Sequence, residues 1–179
     1  MTEIDVRVLG EDEWQAYKDV RLRALRESPE AFAASSEEEE QLPEELWRER
    51  MARSRRLLAE EGSDVIGVAS LGTTHRTQIA GAGELFGLWV QADRRGAGVA
   101  RRLLEKAAAV AREEGLKQLL YWVGTDNGRA VAFASSFGFR PTDSRRPMRL
   151  QGVEGDDAEA EEMMMVYPLA DAAGVPTSL

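Results

Sequence analysis

A glycine-rich segment, residues 95–100, has the residue types in this sequence that are best suited to bind an anion. It reads Arg95-Gly96-Ala97-Gly98-Val99-Ala100. It follows an apolar run that predicts a strand ending at Val90, and it leads into a helical pattern that begins at Val99. The first turn of a helix has N–H groups without intrahelical acceptors, and the helix dipole adds positive charge there. Glycines let the backbone approach a phosphate, so the segment predicts an anion site, although glycine turns without a ligand are also common.

Two widespread phosphate-binding loops do not fit this segment. No G-x-x-x-x-G-K-[ST] pattern occurs, which excludes a P-loop. The G-A-G triplet lacks the third glycine of the dinucleotide fingerprint, and no suitable acidic residue follows a second strand. Arginines cluster around the segment in an otherwise acidic protein, which suits a small phosphorylated ligand or else an ordinary solvated helix face. They are Arg94, Arg95, Arg101 and Arg102.

Composition excludes several classes of function. The net charge of −9 argues against general nucleic-acid binding, which depends on neutralising phosphates. The absence of cysteine removes disulfides, thiolate metal sites and cysteine nucleophiles, and it fits a cytoplasmic protein. The single histidine, His75, lies in a polar stretch typical of a surface, so we expect no metal site. No apolar run approaches the ~20 residues that span a bilayer, and the N-terminus lacks a signal pattern, so we expect no membrane partner.

The elements that position the glycine-rich segment follow from hydrophobic periodicity, which predicts the order β-α-α-β-β-β-α-β-α-β-β. The predicted strands are Ile4–Leu9, Arg56–Glu60, Val65–Leu71, Leu85–Val90, Gln118–Val123, a short strand before Pro141, and Met163–Leu169. The predicted helices are Glu11–Arg26, Pro43 through Met51, Val99–Glu114 with Gly115 as its cap, and Asn127–Ser136. We expect loops at 73–78 and 144–160, and a loop or helix end at 37–40.

This order predicts an α+β domain with a largely antiparallel sheet and helices on its faces. The crossover from Leu85 to Val123 is expected to be parallel and right-handed. No internal repeat or interdomain linker is visible, so residues 1–170 are predicted to form one domain, and residues 171–179 a flexible tail.

The segment and its flanks resemble the acetyl-CoA signature of the GNAT superfamily of N-acetyltransferases, V-x-x-x-x-[QR]-G-x-G-x-[GA]. Its defining positions are occupied by Arg95, Gly96, Gly98 and Ala100. The superfamily's second signature is N-x-x-A-x-x-[LF]-Y-x-x-x-G-F, and it is matched by Asn127, Ala130, Phe133, Gly138 and Phe139. The separation of the two blocks is also typical, and the resemblance extends over roughly residues 3–169.

The resemblance implies a GNAT fold, a mixed but mostly antiparallel sheet of about six or seven strands flanked by about four helices. It implies that the strand ending at Val90 and the strand 118–123 splay apart around the pantetheine arm of acetyl-CoA. The residues implied in cofactor binding are Leu88, Trp89 and Val90 for the pantetheine amides, Arg95, Gly96, Ala97, Gly98, Val99 and Ala100 for the pyrophosphate, and Asn127 near the pantetheine. Arg94, Arg101 or Arg102 would pair with the adenosine 3′-phosphate.

The implied reaction is transfer of the acetyl group to a primary amine by direct attack in a ternary complex, without a covalent enzyme intermediate. The acceptor would be a small-molecule or peptide amine, and a homodimer is expected by analogy. One position departs from the superfamily: the tyrosine proposed to protonate the departing thiolate is replaced by Ala134. Ser135, Ser136 or water are candidate replacements, although helical spacing also fits two plain helix residues. The alternative is a catalytically weak GNAT-like domain that binds or senses acyl-CoA.

Proton chemistry indicates that losing this acid slows the reaction without abolishing it. A thiol pKa of ~8.5 makes thiolate release near neutral pH cost roughly 2 kcal/mol, whereas an amine pKa of ~10.4 makes deprotonation cost roughly 4–5 kcal/mol. The amine therefore needs a base more than the thiol needs an acid. Glu84 is the candidate base, because GNAT proteins often place a carboxylate before the apolar part of this strand; it is otherwise an ordinary strand-end residue.

The acceptor is expected between the first two helices and the last strands. That region comprises residues 27–32, Trp47 and the predicted loop 144–160. Phe32 and Trp47 fit core packing better than an aromatic cage. The acidic surplus of the chain suggests a cationic acceptor by charge complementarity.

Overall fold

One seven-stranded mixed sheet organises the chain, in the order β1-β2-β3-β4-β5-β7-β6. This computed structural model describes residues 3–148 and 160–169, except the side chains of residues 74 and 75. The strands are β1 Ile4–Val8, β2 Ser54–Glu61, β3 Asp64–Gly72, β4 Ala82–Val90, β5 Gln118–Gly124, β6 Arg140–Pro147 and β7 Glu161–Pro168. The helices are α1 Trp14–Glu27, α2 Ser36–Glu40, α3 Glu44–Arg53, α4 Thr74–Thr77, α5 Val99–Glu113 and α6 Gly128–Phe137. The predicted α+β class and GNAT-type sheet are therefore confirmed.

The two central strands pair over only part of their length. β4 and β5 are parallel, as predicted, and their register runs from Ala82↔Gln118 to Leu85↔Tyr121. All other neighbouring strands are antiparallel. Beyond Leu85 and Tyr121, β4 continues to Val90 and β5 to Gly124 without further pairing between them. The sheet therefore opens into a wedge, which is the splay that the resemblance implied.

A bulge in β4 lies beside this wedge. The β3–β4 register passes from Val68↔Trp89 to Ser70↔Phe86, so β4 uses one residue more than β3. Gly87 has φ +61, a conformation that residues with a Cβ rarely adopt, and a glycine at this place allows the extra residue. Bulges bend and twist a strand, so this one helps turn β4 away from β5.

Two hydrophobic clusters cover the two faces of the sheet. The larger cluster packs α5 on one face and includes Leu57, Leu103 and Leu119, each fully buried. The second packs α1 and α3 on the other face and includes Trp47 and Leu58. Leu57 and Leu58 are neighbours in β2 and point to opposite faces, as strand geometry requires.

Several element boundaries differ from the sequence predictions. Helix α1 begins at Trp14 rather than Glu11, because residues 11–12 form a turn. Residues 36–40 form a short helix, since the Ser35 hydroxyl accepts from the Glu38 N–H and caps it. Residues 74–77 are also helical, not a loop. The short strand predicted before Pro141 instead begins at Arg140 and continues to Pro147. Residues 144–147, predicted as loop, therefore belong to a strand that pairs with β7, and their polar residues carry no strand signal. The rest of the predicted loop, 149–159, and the tail lie outside the described residues.

Candidate active site

A cavity of about 730 Å³ opens where β4 and β5 separate. We call it the central cavity. Its lining on the wedge side comprises residues 84–88 of β4, residues 121–124 of β5, Asn127 and Ala130. From Phe86 onward the edge of β4 that faces β5 has no strand partner among the described residues, so its backbone groups are available to an extended ligand, in the manner of an added strand.

The glycine loop, residues 95–100, lies between the end of β4 and the start of α5. Gly96 and Gly98 have φ +82 and +84, and an added Cβ at either would meet no atom within 4 Å. Gly98 is the N-cap of α5 and makes no side-chain cap hydrogen bond; its carbonyl accepts from the Arg102 N–H at 3.1 Å. The first-turn N–H groups therefore face open space, the arrangement that binds an anion.

The side chain of Arg95 attaches the glycine loop to the end of β4 and to the end of α1. Its guanidinium donates to the Val90 carbonyl at 3.0 Å and to the Ser28 hydroxyl at 3.3 Å. The Trp89 indole N–H also donates to Ser28, at 3.1 Å. Buried Ser28 thus joins the end of α1 to the end of β4, and the Arg95 side chain holds the loop while its backbone faces outward.

The neighbouring arginines lie beside the glycine loop, and each already has a partner. Arg94 pairs with Glu61 at 3.1 Å, Arg101 with Glu105 at 3.4 Å, and Arg102 donates to the Ile4 carbonyl. A shallow cavity of about 520 Å³ brings part of the loop together with two of them; its lining includes Ala97, Gly98, Arg101 and Arg102. The two arginines at this opening can still turn toward a phosphate, because both are on the exposed side of α5.

Asn127 caps α6 and faces the central cavity. Its side-chain oxygen accepts from the Ala130 N–H at 3.1 Å, which leaves its amide nitrogen for a ligand. Leu88 also lines the cavity, whereas the side chains of Trp89 and Val90 are buried in the two cores.

Glu84 lies at the narrow end of the wedge, lines the central cavity and is only 5% exposed. Its Oε2 accepts from the Arg76 guanidinium, and its Oε1 is 4.0 Å from a nitrogen of Arg146. Arg146 also pairs with Glu162. A separation of 4.0 Å is too long for a hydrogen bond, so Oε1 retains the capacity to accept a proton from an amine or a water. The sequence singled out Glu84 but did not reveal its arginine partners.

Ala134, which occupies the position of the superfamily's tyrosine, has no access to the central cavity. Ala134 is fully buried in the larger core. Ser135 is half-buried and is not among the residues that line the central cavity, and the Ser136 hydroxyl donates to the Phe133 carbonyl at 2.7 Å. Neither serine therefore has the placement of a proton donor for this cavity.

Tyr121 lines the central cavity at the last position where β5 pairs with β4. Its ring packs edge-on against Phe139 with centroids 5.8 Å apart. Burial, together with the charge of Glu162, raises the pKa of Tyr121 to about 12, so its hydroxyl keeps its proton. Sequence reasoning missed this residue, although the expected splay of β5 pointed to side chains at this end of the strand.

The acceptor side of the central cavity is basic, opposite in sign to the whole chain. Its charged lining residues are Arg21, Arg50, Arg53, Arg56, Arg76 and Arg146, with Glu30, Glu84 and Glu162. Phe32 and residues 146 and 148 also line it, as expected for the acceptor side, whereas Trp47 is fully buried against Tyr17. The local charge does not favour the cationic acceptor that the net charge suggested.

Comparison with known proteins places this fold in a family. A family model described as "Acetyltransferase (GNAT) family" matches residues 20–139, more than half of the chain. The chain belongs to the GNAT acetyltransferase family. This family uses acetyl-CoA. A search of curated proteins finds no match.

Solved structures share the whole GNAT fold at low sequence identity. The ribosomal-protein-S18-alanine N-acetyltransferase of Escherichia coli is 19% identical, with 99% of this chain and 100% of that chain covered and a TM-score of 0.66. The protein yncA of Salmonella typhimurium, whose structure holds its cofactor acetyl-CoA, is 18% identical, with 98% and 99% covered and a TM-score of 0.67. A GNAT acetyltransferase of Streptococcus pneumoniae is 19% identical, with 94% and 100% covered and a TM-score of 0.68.

Within residues 3–148 and 160–169, no group of three or more acidic or histidine side chains is placed to hold a metal ion. Among the helices of that same part of the chain, none has the length and apolar character needed to cross a bilayer.

Proposed function

We propose that this GNAT protein transfers the acetyl group of acetyl-CoA to a primary amine by direct attack, without a covalent enzyme intermediate. The observation that carries the proposal is the order of three features along the chain. Buried Glu84 comes first, the unpaired edge of β4 follows from Phe86, and the glycine loop opens α5 after Val90. These three features would serve, in the same order, the amine of the acceptor, the pantetheine arm of acetyl-CoA and its diphosphate.

The residues that would hold acetyl-CoA fit its chemistry. The N–H groups of the glycine loop suit a diphosphate, and the free edge of β4 with the Asn127 amide suits the amide-bearing pantetheine arm. When bound, acetyl-CoA supplies the acetyl group as a thioester, so that an N–C bond forms as a C–S bond breaks. Residues around the central cavity must then handle two protons, one that leaves the amine and one that the thiolate takes up.

Glu84 is the proposed proton acceptor for the amine. Its Oε1 is free of hydrogen bonds within the described residues, and the residue is only 5% exposed while it lines the central cavity. Arg76 holds Oε2 and so fixes the orientation of the carboxylate. The amine proton passes to Oε1 directly or through one water.

Tyr121 is the proposed proton donor for the thiolate. Its hydroxyl stays protonated because its pKa is about 12, and it lines the same cavity as Glu84. It would take the role of the superfamily's tyrosine, whose position is occupied here by Ala134. Tyr121 would act from β5, whereas that tyrosine position lies on α6. Two groups on adjacent strands then divide the acid and base roles.

The test combines calorimetry with a thiol-release assay. Titration of the protein with acetyl-CoA should show binding, and release of CoA thiol should depend on an added primary amine. Binding without release across a broad amine panel would favour the alternative, an acyl-CoA sensor, for which Ala134 is the supporting observation. Failure to bind acetyl-CoA or CoA at all would refute both proposals.

A further inference from the structure

We propose that the amine acceptor bears an anionic group, a carboxylate, phosphonate or sulfonate, and that Arg56 on the wall of the central cavity binds it. The proposal rests on the proposed function and narrows its substrate to amines that carry a negative charge. This proposal is opposite to the expectation drawn from the net charge of the chain. The acceptor contacts the residues that line the cavity, so the charge of that lining matters more than the charge of the whole surface.

Arg56 is a buried cation with no counter-ion among the residues that the structure describes. It lines the central cavity and is 5% exposed. One terminal nitrogen donates to the Ser70 hydroxyl at 2.7 Å and the other to the Arg50 carbonyl at 3.0 Å. Both partners are neutral, and its Nε, also buried, has no hydrogen-bond partner in the structure. Buried charges in proteins are ordinarily paired, so an anion is the partner that this guanidinium would be expected to take.

The other arginines of the cavity differ from Arg56 in this respect. Arg21 and Arg50 share Glu39, at 3.2 and 2.8 Å, and Arg53 pairs with Glu49 at 3.2 Å. Arg76 and Arg146 share Glu84. Among the ion pairs of residues 3–148 and 160–169, none involves Arg56.

Aromatic rings hold the Arg56 guanidinium in place. Its central carbon is 4.4 Å from the ring centre of Tyr17 and 5.4 Å from that of Phe86. Arg76 stacks on the same Phe86, at 3.6 Å. Rings partly stabilise a cation, but they cannot replace an anion, and they fix the planar fork that binds carboxylate or phosphonate oxygens. Burial and the nearby arginines together lower the pKa of Arg56, which indicates how unfavourable its charge is without such a partner.

The register of the sheet puts Arg56 within reach of the proposed reaction centre. Arg56 pairs with Ser70, and Ser70 pairs with Phe86, so these three residues form one row across β2, β3 and β4. Glu84 lies two residues before Phe86 on the same face. Backbones two strands apart are separated by roughly 10 Å, and the long Arg56 side chain covers part of that distance. An acceptor of amino-acid size can therefore present its amine to Glu84 and its anion to Arg56.

The experiment compares matched acceptors that differ only in charge. The pairs are L-leucine with L-leucinamide and β-alanine with β-alaninamide; 2-aminoethylphosphonate, taurine and putrescine complete the panel. Thiol release gives kcat/KM for each. The amides have the more easily deprotonated amines, so their intrinsic reactivity opposes the expected preference. We expect the acids to exceed their amides by roughly 10- to 100-fold, the usual effect of one hydrogen-bonded charge.

Two arginine variants of β2 test whether Arg56 causes the preference. Arg56→Met removes the charge and keeps much of the length, and the ratio of acid to amide should fall toward one. Arg55→Met is the matched control, because Arg55 directly precedes Arg56, lies on the other face of β2 and pairs with Glu114 at 2.5 Å. Its ratio should equal that of the wild type. Arg56→Lys keeps the charge without the fork and should retain only part of the preference.

A second measurement does not depend on turnover. The wild-type protein is heated with propionate or methylphosphonate, and with propionamide as the neutral control. Anion-specific stabilisation that Arg55→Met retains and Arg56→Met loses supports the proposal, even if no amine is acetylated and the proposed function fails. An acid-to-amide ratio at or below one, with acetyl-CoA turnover intact, overturns the proposal and leaves the transferase standing. If no amine reacts, the absence of any anion-dependent shift overturns it.

Discussion

Two glycines at opposite ends of α5 allow a controlled test of the anion site. Gly98 and Gly115 have φ +84 and +78, and a Cβ added to either meets nothing within 4 Å. Alanine at each position therefore costs backbone strain alone, about 1–2 kcal/mol. For a chain of this size each kcal/mol lowers Tm by roughly 2–4 °C. We expect Gly98→Ala and Gly115→Ala to lose about the same stability.

Their effects on acetyl-CoA should differ sharply. The Cβ of Gly98→Ala would project into the open space that the first-turn N–H groups of α5 face, whereas Gly115 lies beyond the helix C-terminus. There the Gly115 N–H donates to the Arg112 carbonyl at 3.0 Å and only closes the helix. One amide–phosphate hydrogen bond is worth about 1.5–3 kcal/mol, so Kd for acetyl-CoA should rise by roughly 10- to 100-fold in Gly98→Ala.

Calorimetric titration with acetyl-CoA and thermal unfolding of both variants provide the measurements. We expect the two variants to have matched Tm values, and only Gly98→Ala to have a higher Kd for acetyl-CoA. If both variants bind acetyl-CoA as the wild type does, or if both weaken equally while equally destabilised, the glycine loop is not the diphosphate site.

Other substitutions test the proton carriers and the acid stability of the fold. Glu84→Gln should lower kcat/KM by about 10²–10⁴-fold, as loss of a general base does, while the control Glu162→Gln, which removes the other partner of Arg146, should have a much smaller effect in the same assay. Tyr121→Phe should lower kcat by at most about 30-fold, since thiolate release costs only roughly 2 kcal/mol, and steady-state kinetics with unchanged KM for acetyl-CoA would check this. Burial alone would raise the pKa of Glu39, but hydrogen bonds from its two arginine partners outweigh it and keep that pKa below its ordinary value of 4.5. The stabilisation is therefore present above pH 4.5 and lost as pH falls through the lower folded value, so acid titrations of unfolding should show a shallower fall for Glu39→Gln than for the wild type.

The parts of the fold that the sequence predicted are those with local signals. The α5 helix was predicted to within one residue, because its apolar stripe repeats with helical period and Gly115 ends it. The glycine loop was predicted from its own residues and from the strand before it. The parallel pairing of β4 and β5 followed from the strand–helix–strand order.

The basic charge of the acceptor side was not predicted, because distant segments supply it. Arg56 reads as one polar residue in an apolar strand, and nothing local shows that Tyr17 and Phe86 enclose it. The net charge of the chain does not reveal this local charge for the same reason. Many of the acidic residues lie on exposed surfaces, while arginines from α1, α3, α4, β2 and β6 converge on one cavity.

The bulge at Gly87 explains how one strand serves both sites. In a regular strand Leu85 and Val90 would face opposite sides of the sheet, since they are five residues apart. Both pack in the larger core with α5, whereas Trp89 packs in the second core with α1 and α3. The extra residue at Gly87 therefore reverses the alternation partway along β4. Before the bulge, Glu84 and Phe86 face the acceptor cavity; after it, Val90 anchors the glycine loop to the α5 side. An isolated glycine in an apolar strand is a known signal for a bulge, but only the register shows that this one lies between Glu84, the proposed base, and the glycine loop, the proposed anion site.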